Sequence, residues 1–473
     1  MSYLFGFLGV FALSLMLSVS CSEGGGEGGS GGTGGMPECQ SPEDCNDNAQ
    51  CTEGVCTEGV CECVPVEDGT QCGDGFFVGV CVAGECRVPC ETAEDCYDGN
   101  DCTEDACPID GGGVCDHTPV ADGTACAGGS CQGGACELTG SVLPCSEEGI
   151  RSAVAAGGGP YKFDCNGPTT VVTRATIVVD KDVILDGEGK LTLDGNEDHG
   201  VFDFSSKSNG CLDTPPCESE VQVELSGVTV TGGMAGPNPA FNVQECVDVQ
   251  LTRSSVTGNS GRGIENAGTL TLTDVTVSDN EEEQGIFNFG GTLIMTNCTV
   301  SGNMDGGGIT GGGILTMTNC TVSGNANAGL HSERGGIAVG GSVSLTNCTV
   351  SGNTGRDIVF RGGTLTMMNT LVDGACVDEI ATEVTSNGYN IESPANTCGF
   401  DPDGTDLVNV PDPTFGTLAD NGGPTMTHAL LPGSVAIDKI PADSCEVDED
   451  QRGVTRPQGD SCDVGAFELE VAP

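Results

Sequence analysis

The chain lacks tryptophan, has only four tyrosines and carries little positive charge. Its 473 residues contain 15 lysine and arginine residues against 70 aspartate and glutamate residues, which gives a formal net charge of -55. Such a charge repels phosphate backbones and argues against nucleic acid as a partner, whereas it attracts divalent cations and basic polymers or simply keeps the protein soluble. The shortage of large aromatic residues predicts no aromatic platform for carbohydrate stacking.

Long apolar segments are missing as well. The apolar run Leu4–Leu17 has fourteen residues, too few to span a bilayer but enough for the core of a signal peptide. It ends in Ser18-Val19-Ser20-Cys21, which resembles a bacterial lipobox. We therefore expect a signal peptide at 1–20, lipidation of Cys21 and a location at the outer membrane or cell surface. Free secretion after ordinary cleavage is the alternative, and the glycine- and serine-rich linker 21–38 favours the tether.

Cysteine, in contrast, is abundant. Of 30 cysteines, 17 lie between Cys39 and Cys136, a density that predicts disulfide bonds in an exported protein and not a zinc cluster. Two cysteine-rich modules of about fifty residues repeat within 39–140, with nine cysteines in the first and eight in the second. We predict four disulfides in the second module. A duplicated pentapeptide, Cys51–Val55 followed by Cys56–Val60, would account for the extra thiol in the first.

An acidic turn in the second module offers oxygen ligands. Asp98, Asn100, Asp101 and Glu104 carry the carboxylate and amide oxygens that calcium prefers, although their spacing does not match the twelve-residue EF-hand loop. They are weak candidates for a calcium site, and a solvated turn is the alternative. Calcium is the one cofactor that the sequence suggests. We interpret the nearby His117 as a turn residue and not as a ligand.

From about Thr169 a second repeat dominates the sequence. Its clear copies begin with alternating apolar residues and end in Ser-Gly-Asn or Ser-Asp-Asn. The fourth residue of successive copies advances by 23, 22, 28 and 22 residues, from Leu272 to Met367. A repeat of this length is one coil of a β-solenoid. The clear copies occupy 269–280, 292–303, 314–325 and 342–353.

The alternation of apolar residues predicts a corner inside each coil. Leu315 and Met317 are two residues apart, but the next inward residue, Cys320, follows after three, so a straight strand would turn it outward. The chain must bend at Asn319, where asparagine tolerates turn dihedrals and stacked amides can form a ladder. The equivalent residues in other coils are Asp274, Asn297, Asn347 and Asn369.

Two further features concern the ends and the interior of the solenoid. Residues 146–156 predict a short amphipathic helix with Ser146 as N-cap, which would close the first coil. Cys298, Cys320 and Cys348 share one inward position and should stack as buried, reduced thiols. Proximity in sequence predicts four disulfides and leaves Cys246 without a partner. The predicted pairs are Cys145 with Cys165, Cys211 with Cys217, Cys376 with Cys398 and Cys445 with Cys462.

Both ends of the repeat region resemble known families. Ala155–Gly159, Phe163–Pro168 and Val183–Gly187 resemble the opening coils of bacterial right-handed β-helix proteins of the pectate-lyase-like superfamily. Leu418–Asp438, and near it Cys462–Glu468, are similar to the choice-of-anchor Q proteins, which are surface proteins with a β-helix body. The resemblance implies an all-β fold after the disulfide-rich modules. We expect a right-handed, single-stranded parallel β-helix of about nine coils over 145–410 and a choice-of-anchor Q-like segment over 411–473.

The superfamily resemblance also implies glycan binding along one sheet, either with or without catalysis. Asp194, Asp198 and His199 are the densest polar group and the weak candidates for a catalytic site, with a solvated loop between coils as the alternative. Outward residues are mainly threonine, serine, asparagine and glycine, which suits glycan binding or a soluble surface.

We favour a binding, adhesive or structural role toward an extracellular glycan or surface protein, with membrane contact only through the lipid anchor. A polysaccharide lyase or glycoside hydrolase is the alternative.

Overall fold

The chain forms two compact units, Met1–Cys126 with Ser130–Cys136 and Ala127–Gly129 with Glu137–Pro473. The predicted signal peptide, Cys21 and the linker 21–38 lie outside the described residues. In the part of the chain described, no helix is long and apolar enough to cross a membrane. The computed structural model describes residues 52–57, 60–66, 70–72, 79–82, 85–87, 90, 92–107, 115–206, 221–234, 239–326, 335–378, 383–401 and 404–470.

The first unit consists of short antiparallel hairpins. Its fully buried residues in the second module include Cys96, Cys102 and Cys131, so cystines take the place of an apolar core. The strands of the unit are β1 (Thr52–Thr57), β2 (Val60–Pro65), β3 (Gln71–Cys72), β4 (Gly79–Val82), β5 (Glu85–Arg87), β6 (Thr103–Ala106), β7 (Asp116–Pro119) and β8 (Ala125–Cys126). Strands β9 (Gly129–Gln132) and β10 (Ala135–Leu138) contain residues of both units.

The second module contains the four disulfides that its cysteine count predicts. They use all eight cysteines of the module, so no thiol of this module is left to bind zinc. The bonds are Cys90–Cys107, Cys96–Cys115, Cys102–Cys131 and Cys126–Cys136.

Strand register identifies the extra cysteine of the first module. Hairpin β1–β2 pairs Thr52 with Pro65 and Gly54 with Cys63, while β6–β7 pairs the equivalent Thr103 with Pro119 and Asp105 with His117. Cys56 and Cys61 face each other one step beyond, in the places of Cys107 and Cys115. The cysteine of the first module that has no counterpart in the second is therefore Cys63, which takes the place of His117. That the duplicated pentapeptide added the extra thiol stays a prediction.

The second unit is a parallel β-solenoid of about ten coils. Its strands are β11 (Val142–Pro144), β12 (Gly158–Asp164), β13 (Thr169–Val172), β14 (Ile177–Val179), β15 (Val183–Asp194), β16 (Phe202–Phe204), β17 (Val221–Thr231), β18 (Phe241–Val243), β19 (Val247–Thr252), β20 (Ser255–Thr257), β21 (Ile264–Asn266), β22 (Thr269–Thr273), β23 (Thr276–Ser278), β24 (Ile286–Asn288), β25 (Thr292–Thr296), β26 (Thr299–Ser301), β27 (Ile309–Gly311), β28 (Ile314–Thr318), β29 (Thr321–Ser323), β30 (Ile337–Thr346), β31 (Thr349–Ser351), β32 (Ile358–Met368), β33 (Leu371–Asp373), β34 (Cys376–Asp378), β35 (Glu383–Ser386) and β36 (Ile391–Ser393).

Three parallel sheets wind around one apolar core. Sheet A contains β12, β15, β17, β19, β22, β25, β28, β30, β32 and β35. Sheet B contains β13, β15, β17, β20, β23, β26, β29, β31, β33 and β36. Sheet C contains β14, β16, β18, β21, β24, β27, β30, β32 and β34. The long strands β15 and β17 bend from sheet A into sheet B, and β30 and β32 bend from sheet C into sheet A.

The register predicted from the 22-residue repeat is confirmed in sheet A. Leu272, Met295, Met317, Leu345 and Met367 are partners in successive strands and are all fully buried. Each row of inward side chains therefore continues from coil to coil, and the apolar core is shared by neighbouring coils.

The corner between sheets A and B is also where the alternation predicts it. The corner residues have left-handed backbone, with φ of 57° at Asp274, 56° at Asn297, 51° at Asn319 and Asn347 and 53° at Asn369. Their amides form a partial ladder. Asn297 Nδ2 donates to Asp274 Oδ1 at 3.1 Å, and Asn369 Nδ2 donates to Asn347 Oδ1 at 3.3 Å.

A second and more regular ladder lies at the corner between sheets B and C, which sequence reasoning did not assign. Each asparagine donates from Nδ2 to Oδ1 of the next coil, over distances of 2.8, 2.7, 2.8 and 2.9 Å. The last amide donates to Asp357 Oδ1 at 2.7 Å. The asparagines are Asn259, Asn280, Asn303, Asn325 and Asn353. Four of them end the Ser-Gly-Asn and Ser-Asp-Asn segments of the repeat, and Asn259 ends the related segment Thr257-Gly258-Asn259.

The three inward cysteines of sheet B are free and buried, as predicted. Each thiol donates to the backbone oxygen two residues earlier, at 3.2 Å in Cys298 and Cys320 and 3.4 Å in Cys348. Thr370 makes the same contact through its hydroxyl in the next coil. A thiol therefore substitutes for a hydroxyl in this column, and burial raises the pKa of Cys320 well above its usual value.

Three of the predicted disulfides of the second unit are present: Cys145–Cys165, Cys376–Cys398 and Cys445–Cys462. They join cysteines 20, 22 and 17 residues apart. The first two spacings are close to the length of one coil, whereas Cys445–Cys462 lies beside the antiparallel pair β39–β40 of the C-terminal segment.

The remaining cysteines of the second unit require a correction. The expectation that Cys246 has no partner is wrong, because Cys246 is disulfide-bonded. Its partner falls outside the described residues. Cys211 and Cys217 also lie outside the described residues, so the bond between Cys211 and Cys217 stays a prediction. The correction therefore concerns Cys246 alone.

Helix α1 (Glu147–Ala156) covers the start of the solenoid, as predicted. The Ser146 side chain accepts a hydrogen bond from Gly149 N at 3.2 Å, and Ile150, Ala153 and Val154 are buried in the main core. At the other end the chain forms two small antiparallel pairs. These strands are β37 (Phe415–Ala419), β38 (Thr427–Leu430), β39 (Ile440–Pro441) and β40 (Ser461–Cys462).

Candidate functional site

The C-terminal segment 411–470 covers the outer surface of three strands of sheet B, β26, β29 and β31. Thr299, Thr321 and Thr349 point outward from β26, β29 and β31, yet all three are buried. Thr299 Oγ1 donates to Met426 O at 2.6 Å, and Thr349 Oγ1 accepts from Ala466 N at 3.0 Å. These threonines are therefore not free to bind a glycan, contrary to the expectation for outward residues of the repeat.

Gln451 is the polar centre of this contact. Its side chain is fully buried and donates from Nε2 to Cys298 O at 3.2 Å and to Thr299 Oγ1 at 2.8 Å. Its Oε1 accepts from Thr321 Oγ1 at 2.6 Å. His428 adds a contact of 2.8 Å between Nε2 and the Ser323 hydroxyl. The outward threonines of β26, β29 and β31 are thus hydrogen-bonded within the chain.

Sheet C presents a different outer surface. Its inward residues, including Phe202, Phe204 and Phe241, pack as an aromatic cluster with ring centroids 4.6 to 6.1 Å apart. Strand alternation therefore turns the residues between them outward. We call the outer residues of β16, β18, β21 and β24 and their immediate neighbours the sheet-C strip. It consists of Asp203, Asn242, Gln244, Arg262, Glu265, Gln284, Phe287 and Phe289.

The first part of the strip is a carboxylate held by two amides. Asp203 Oδ1 accepts from Asn242 Nδ2 and from Gln244 Nε2, both at 2.9 Å. Burial raises the pKa of Asp203, and the two amide hydrogen bonds offset only part of that effect. A carboxyl group in this environment retains its proton to higher pH than a free aspartate does.

The second part of the strip combines one arginine with two phenylalanines. Arg262 Nε donates to Gln284 Oε1 at 3.0 Å, and its guanidinium contacts Glu265. The guanidinium also lies over the ring of Phe287, 4.6 Å from the centroid. The Phe287 and Phe289 centroids are 5.7 Å apart, and Phe289 is 62% exposed. The strip therefore contains an aromatic pair, with Phe287 half-buried and Phe289 exposed, beside charged hydrogen-bonding groups.

The predicted catalytic candidates occupy a turn. Asp194 Oδ1 accepts from Asn196 N at 2.8 Å, and Asp198 Oδ2 accepts from Asn196 Nδ2 at 2.9 Å. His199 is only 5% exposed, and its two ring nitrogens lie 2.7 Å from Gly200 O and 2.9 Å from Thr173 O. Both carboxylates thus support the turn, while the imidazole is engaged with backbone and is directed away from solvent.

Two of the predicted calcium ligands, Asn100 and Asp98, have other partners. Asn100 Oδ1 accepts from Cys102 N at 3.0 Å, and Asn100 Nδ2 donates to Gly134 O at 2.8 Å. The Asp98 carboxylate lies near Asp105 and His117. His117 lies in strand β7, so the interpretation of His117 as a turn residue is wrong. The metal-ligand cluster that the structure brings together therefore differs from the set Asp98, Asn100, Asp101 and Glu104.

A cleft of about 540 Å³ lies at the first coil, before the strip begins. Asp164 is the one charged residue among those lining it, and the rest include Val142, Leu143 and Thr169. A single carboxylate without a second converging group supports no specific chemistry, so the strip is the better candidate site.

Sequence reasoning missed the strip because it aligned only the apolar repeat. Phe287 and Phe289 lie between two copies, in Ile286-Phe287-Asn288-Phe289. The available signal was the match of Ile286-Phe287-Asn288 to Ile264-Glu265-Asn266, whose asparagines are joined by a hydrogen bond of 2.8 Å. That match predicts a third strand in each coil with Phe287 facing outward.

Comparison with known proteins concerns the fold. ORF18 of Geobacillus virus E2 is 12% identical, with a TM-score of 0.35 and coverage of 63% of this chain and 68% of that chain. Pectate lyase Pel9A is 13% identical, with a TM-score of 0.35 and coverage of 67% of this chain and 90% of that chain. The enzymatically active domain of bacteriophage CBA120 tailspike protein 2 is 12% identical, with a TM-score of 0.25 and coverage of 80% and 62%.

These likenesses assign no activity to the chain. No curated protein matches it at a significant level. The family model described as the right handed beta helix region matches residues 217–375, which include much of sheets A, B and C. The solenoid of this chain is therefore a right-handed parallel β-helix.

Proposed function

We propose that this is an exported, surface-bound β-helix protein that binds an extracellular glycan along the sheet-C strip. The observation that carries the proposal is the pairing of the exposed Phe289 with the half-buried Phe287, beside Arg262 and Glu265. Sugar rings present C–H faces that stack on aromatic rings and hydroxyls that bond to carboxylates, amides and guanidinium groups.

The repeat of the solenoid suits an extended polymer. Outer residues of successive coils recur about every 4.8 Å, so Asp203, Asn242, Glu265 and Phe287 form a row along the solenoid axis. A glycan chain lying along this row would meet a polar or aromatic contact at each coil. Hydrogen bonds at one end and stacking at the other would then fix its direction.

Charge narrows the class of glycan. The strip contains two carboxylates, Asp203 and Glu265, and the single guanidinium of Arg262 already contacts Glu265. The whole chain carries a charge of -55. Because like charges repel, we expect a neutral or amino-sugar polymer to bind better than a polyuronate, most clearly at low ionic strength.

Binding by the purified mature chain tests this function. Isothermal titration with neutral, amino-sugar and uronate oligosaccharides should give binding that is weakened in Phe289→Ala and Phe287→Ala. Ile314→Ala is the matched control, because Ile314 is also an exposed apolar residue but lies at the start of β28 in sheet A. Equal affinity in all three variants would overturn the strip as the binding site.

The alternative is a carbohydrate-active enzyme, and one observation favours it. Burial raises the pKa of Asp203 within the strip, which is the property of a general acid. Release of reducing ends or unsaturated products, lost in Asp203→Asn and retained in Asp194→Asn and Asp198→Asn, would establish catalysis at the strip. Glycan binding without turnover would exclude it.

The surface tether is part of the same proposal and rests on the sequence around Cys21. Mass spectrometry of the mature protein should find Cys21 as a lipid-modified N-terminus. Cys21→Ala should release the chain from the membrane fraction. An unmodified N-terminus at another residue would make the protein a secreted one.

A further inference from the structure

One imidazole and two carboxylates converge on hairpin β6–β7 of the second disulfide module. The antiparallel register places Asp105 opposite His117. His117 Nδ1 lies 2.7 Å from Asp105 Oδ1 and 3.5 Å from Asp98 Oδ2. One ligand atom from each residue lies within 4.8 Å of the others, and the three side chains are between 16% and 26% exposed.

We propose that Asp98, Asp105 and His117 bind a divalent transition-metal ion of the zinc class. Zinc takes imidazole nitrogen and carboxylate oxygen at roughly 2.0 to 2.2 Å in tetrahedral geometry, so its ligand atoms lie a little over 3 Å apart. The separations on β6–β7 need only small side-chain movements to reach that value. Calcium prefers oxygen ligands throughout, so His117 directs the site toward zinc.

The disulfides hold the three ligands in place. Each ligand residue is two positions from a cystine: Asp98 follows Cys96, Asp105 precedes Cys107 and His117 follows Cys115. The bond Cys96–Cys115 therefore joins the segments that carry Asp98 and His117. Ligands that are fixed before the ion arrives lose less conformational entropy on binding.

Neighbouring groups orient one of the carboxylates. Asp98 Oδ1 accepts from Asn100 N at 2.8 Å, and Asp98 Oδ2 accepts from Thr103 Oγ1 at 2.9 Å. Hydrogen bonds of this kind hold a ligating carboxylate in one rotamer. Asn100, a predicted calcium ligand, thus has a supporting role.

The first module supplies an internal comparison. Strand register puts Gly54 in the place of Asp105 and Cys63 in the place of His117. The donor set is therefore incomplete in the first module. One specific ion should bind to each chain, at the second module.

Titration of the full oxidised chain with zinc chloride tests the proposal. We expect one high-affinity equivalent that is weakened at least about tenfold in His117→Ala and in Asp105→Asn. Glu104→Gln is the matched control, because Glu104 is adjacent in β6 but exposed, and it removes the same charge as Asp105→Asn. Intact protein mass should show four closed disulfides in the second module of each variant.

Two further readouts separate a built site from general attraction of cations to an acidic protein. Copper(II) bound to the same chain should show nitrogen hyperfine coupling in its electron paramagnetic resonance spectrum, and His117→Gln should remove that coupling while keeping a polar side chain. Zinc binding that is unchanged in His117→Ala, or no zinc binding at all, would overturn the proposal. So would calcium binding lost in Asp101→Asn but retained in His117→Ala.

Discussion

Two outer surfaces in successive parts of the solenoid differ in accessibility: strands β26, β29 and β31 of sheet B are covered, whereas the sheet-C strip on β16, β18, β21 and β24 is accessible in part. On sheet B the outward Thr299, Thr321 and Thr349 are buried beneath the C-terminal segment. On sheet C the strip keeps Phe289 62% exposed beside hydrogen-bonding groups. A repeat with polar outward residues therefore does not reveal which surface is available, because a distant segment of the chain decides it.

The two surfaces also differ in chemistry. Sheet B presents hydroxyls, which the chain satisfies with Gln451 and backbone groups. The sheet-C strip presents carboxylates, a guanidinium and aromatic rings. Substitutions on sheet B should therefore change stability, while substitutions on the strip should change binding.

The largest effect should come from the buried ion pair that holds the C-terminal segment together. Arg456 Nη1 lies 3.0 Å from Glu468 Oε2, and both side chains are almost completely buried. Arg456→Met leaves Glu468 without its countercharge, so the free energy of unfolding should fall by about 3 to 5 kcal/mol. Urea unfolding monitored by circular dichroism measures this loss in the free energy of unfolding.

Two controls accompany that variant. Lys439→Ala removes an exposed positive charge from the same segment and should change stability by less than about 0.5 kcal/mol. Adding Glu468→Gln to Arg456→Met should recover part of the loss, because the buried charge is then gone. Equal losses in the single and double variants would contradict an ionic origin.

A smaller effect is expected at the contact between the C-terminal segment and sheet B. Gln451→Ala removes hydrogen bonds to Cys298 O, Thr299 and Thr321. The buried Thr321 hydroxyl loses its partner, whereas Cys298 O keeps Thr321 N and Thr299 Oγ1 keeps Met426 O. The expected loss is about 2 to 3 kcal/mol, with faster proteolysis of the segment. Gln250→Ala, on the exposed surface of sheet A, is the control and should be nearly neutral. Unchanged stability in Gln451→Ala would mean that the segment does not depend on this contact.

The contribution of Asp357, at the corner between sheets B and C, to the free energy of unfolding should depend on pH. Burial raises the pKa of Asp357 to about 6, although the hydrogen bonds from Asn353 lower it. The folded protein therefore holds this proton up to a pH near 6, whereas the unfolded chain releases it near the ordinary aspartate pKa of 3.8. This stabilising contribution is present below pH 4 and is lost as the pH rises to 6, by up to about 3 kcal/mol.

Asp357→Asn should remove that part of the pH dependence. The asparagine keeps an acceptor for Asn353 Nδ2 at the end of the buried ladder but does not titrate. Unfolding free energies of the wild type and the variant, compared between pH 4 and pH 7, give the contribution of Asp357. Parallel curves would show that Asp357 titrates alike in the folded and unfolded chain.

The sequence predicts those parts of the molecule that depend on local repetition. The rows of Leu272 and Met317, the corner at Asn319 and the free Cys320 follow from the alternation within each coil. The packing of the C-terminal segment on sheet B does not follow from this alternation, because Gln451 and Thr321 are in contact although they are 130 residues apart in sequence. Long-range packing of this kind leaves no periodic signal.

The candidate site was missed for a related reason. Asp194, Asp198 and His199 are close together in sequence and were therefore predicted as a site. In the structure the two carboxylates accept hydrogen bonds within a turn, and the imidazole contacts backbone oxygens. The strip gathers one or two residues from each of several coils, so its members are at least 20 residues apart in successive rows. Only the strand register brings them together.

We expect a glycan to bind the sheet-C strip and not the covered strands β26, β29 and β31 of sheet B. The most direct test is the dissociation constant of one neutral or amino-sugar oligosaccharide for the wild type, Phe289→Ala and Gln451→Ala, measured at a temperature at which all three are folded. We predict roughly tenfold weaker binding for Phe289→Ala with unchanged stability, and unchanged binding for Gln451→Ala despite its lower stability. Unchanged affinity in Phe289→Ala, or loss of binding only in Gln451→Ala, would contradict the claim.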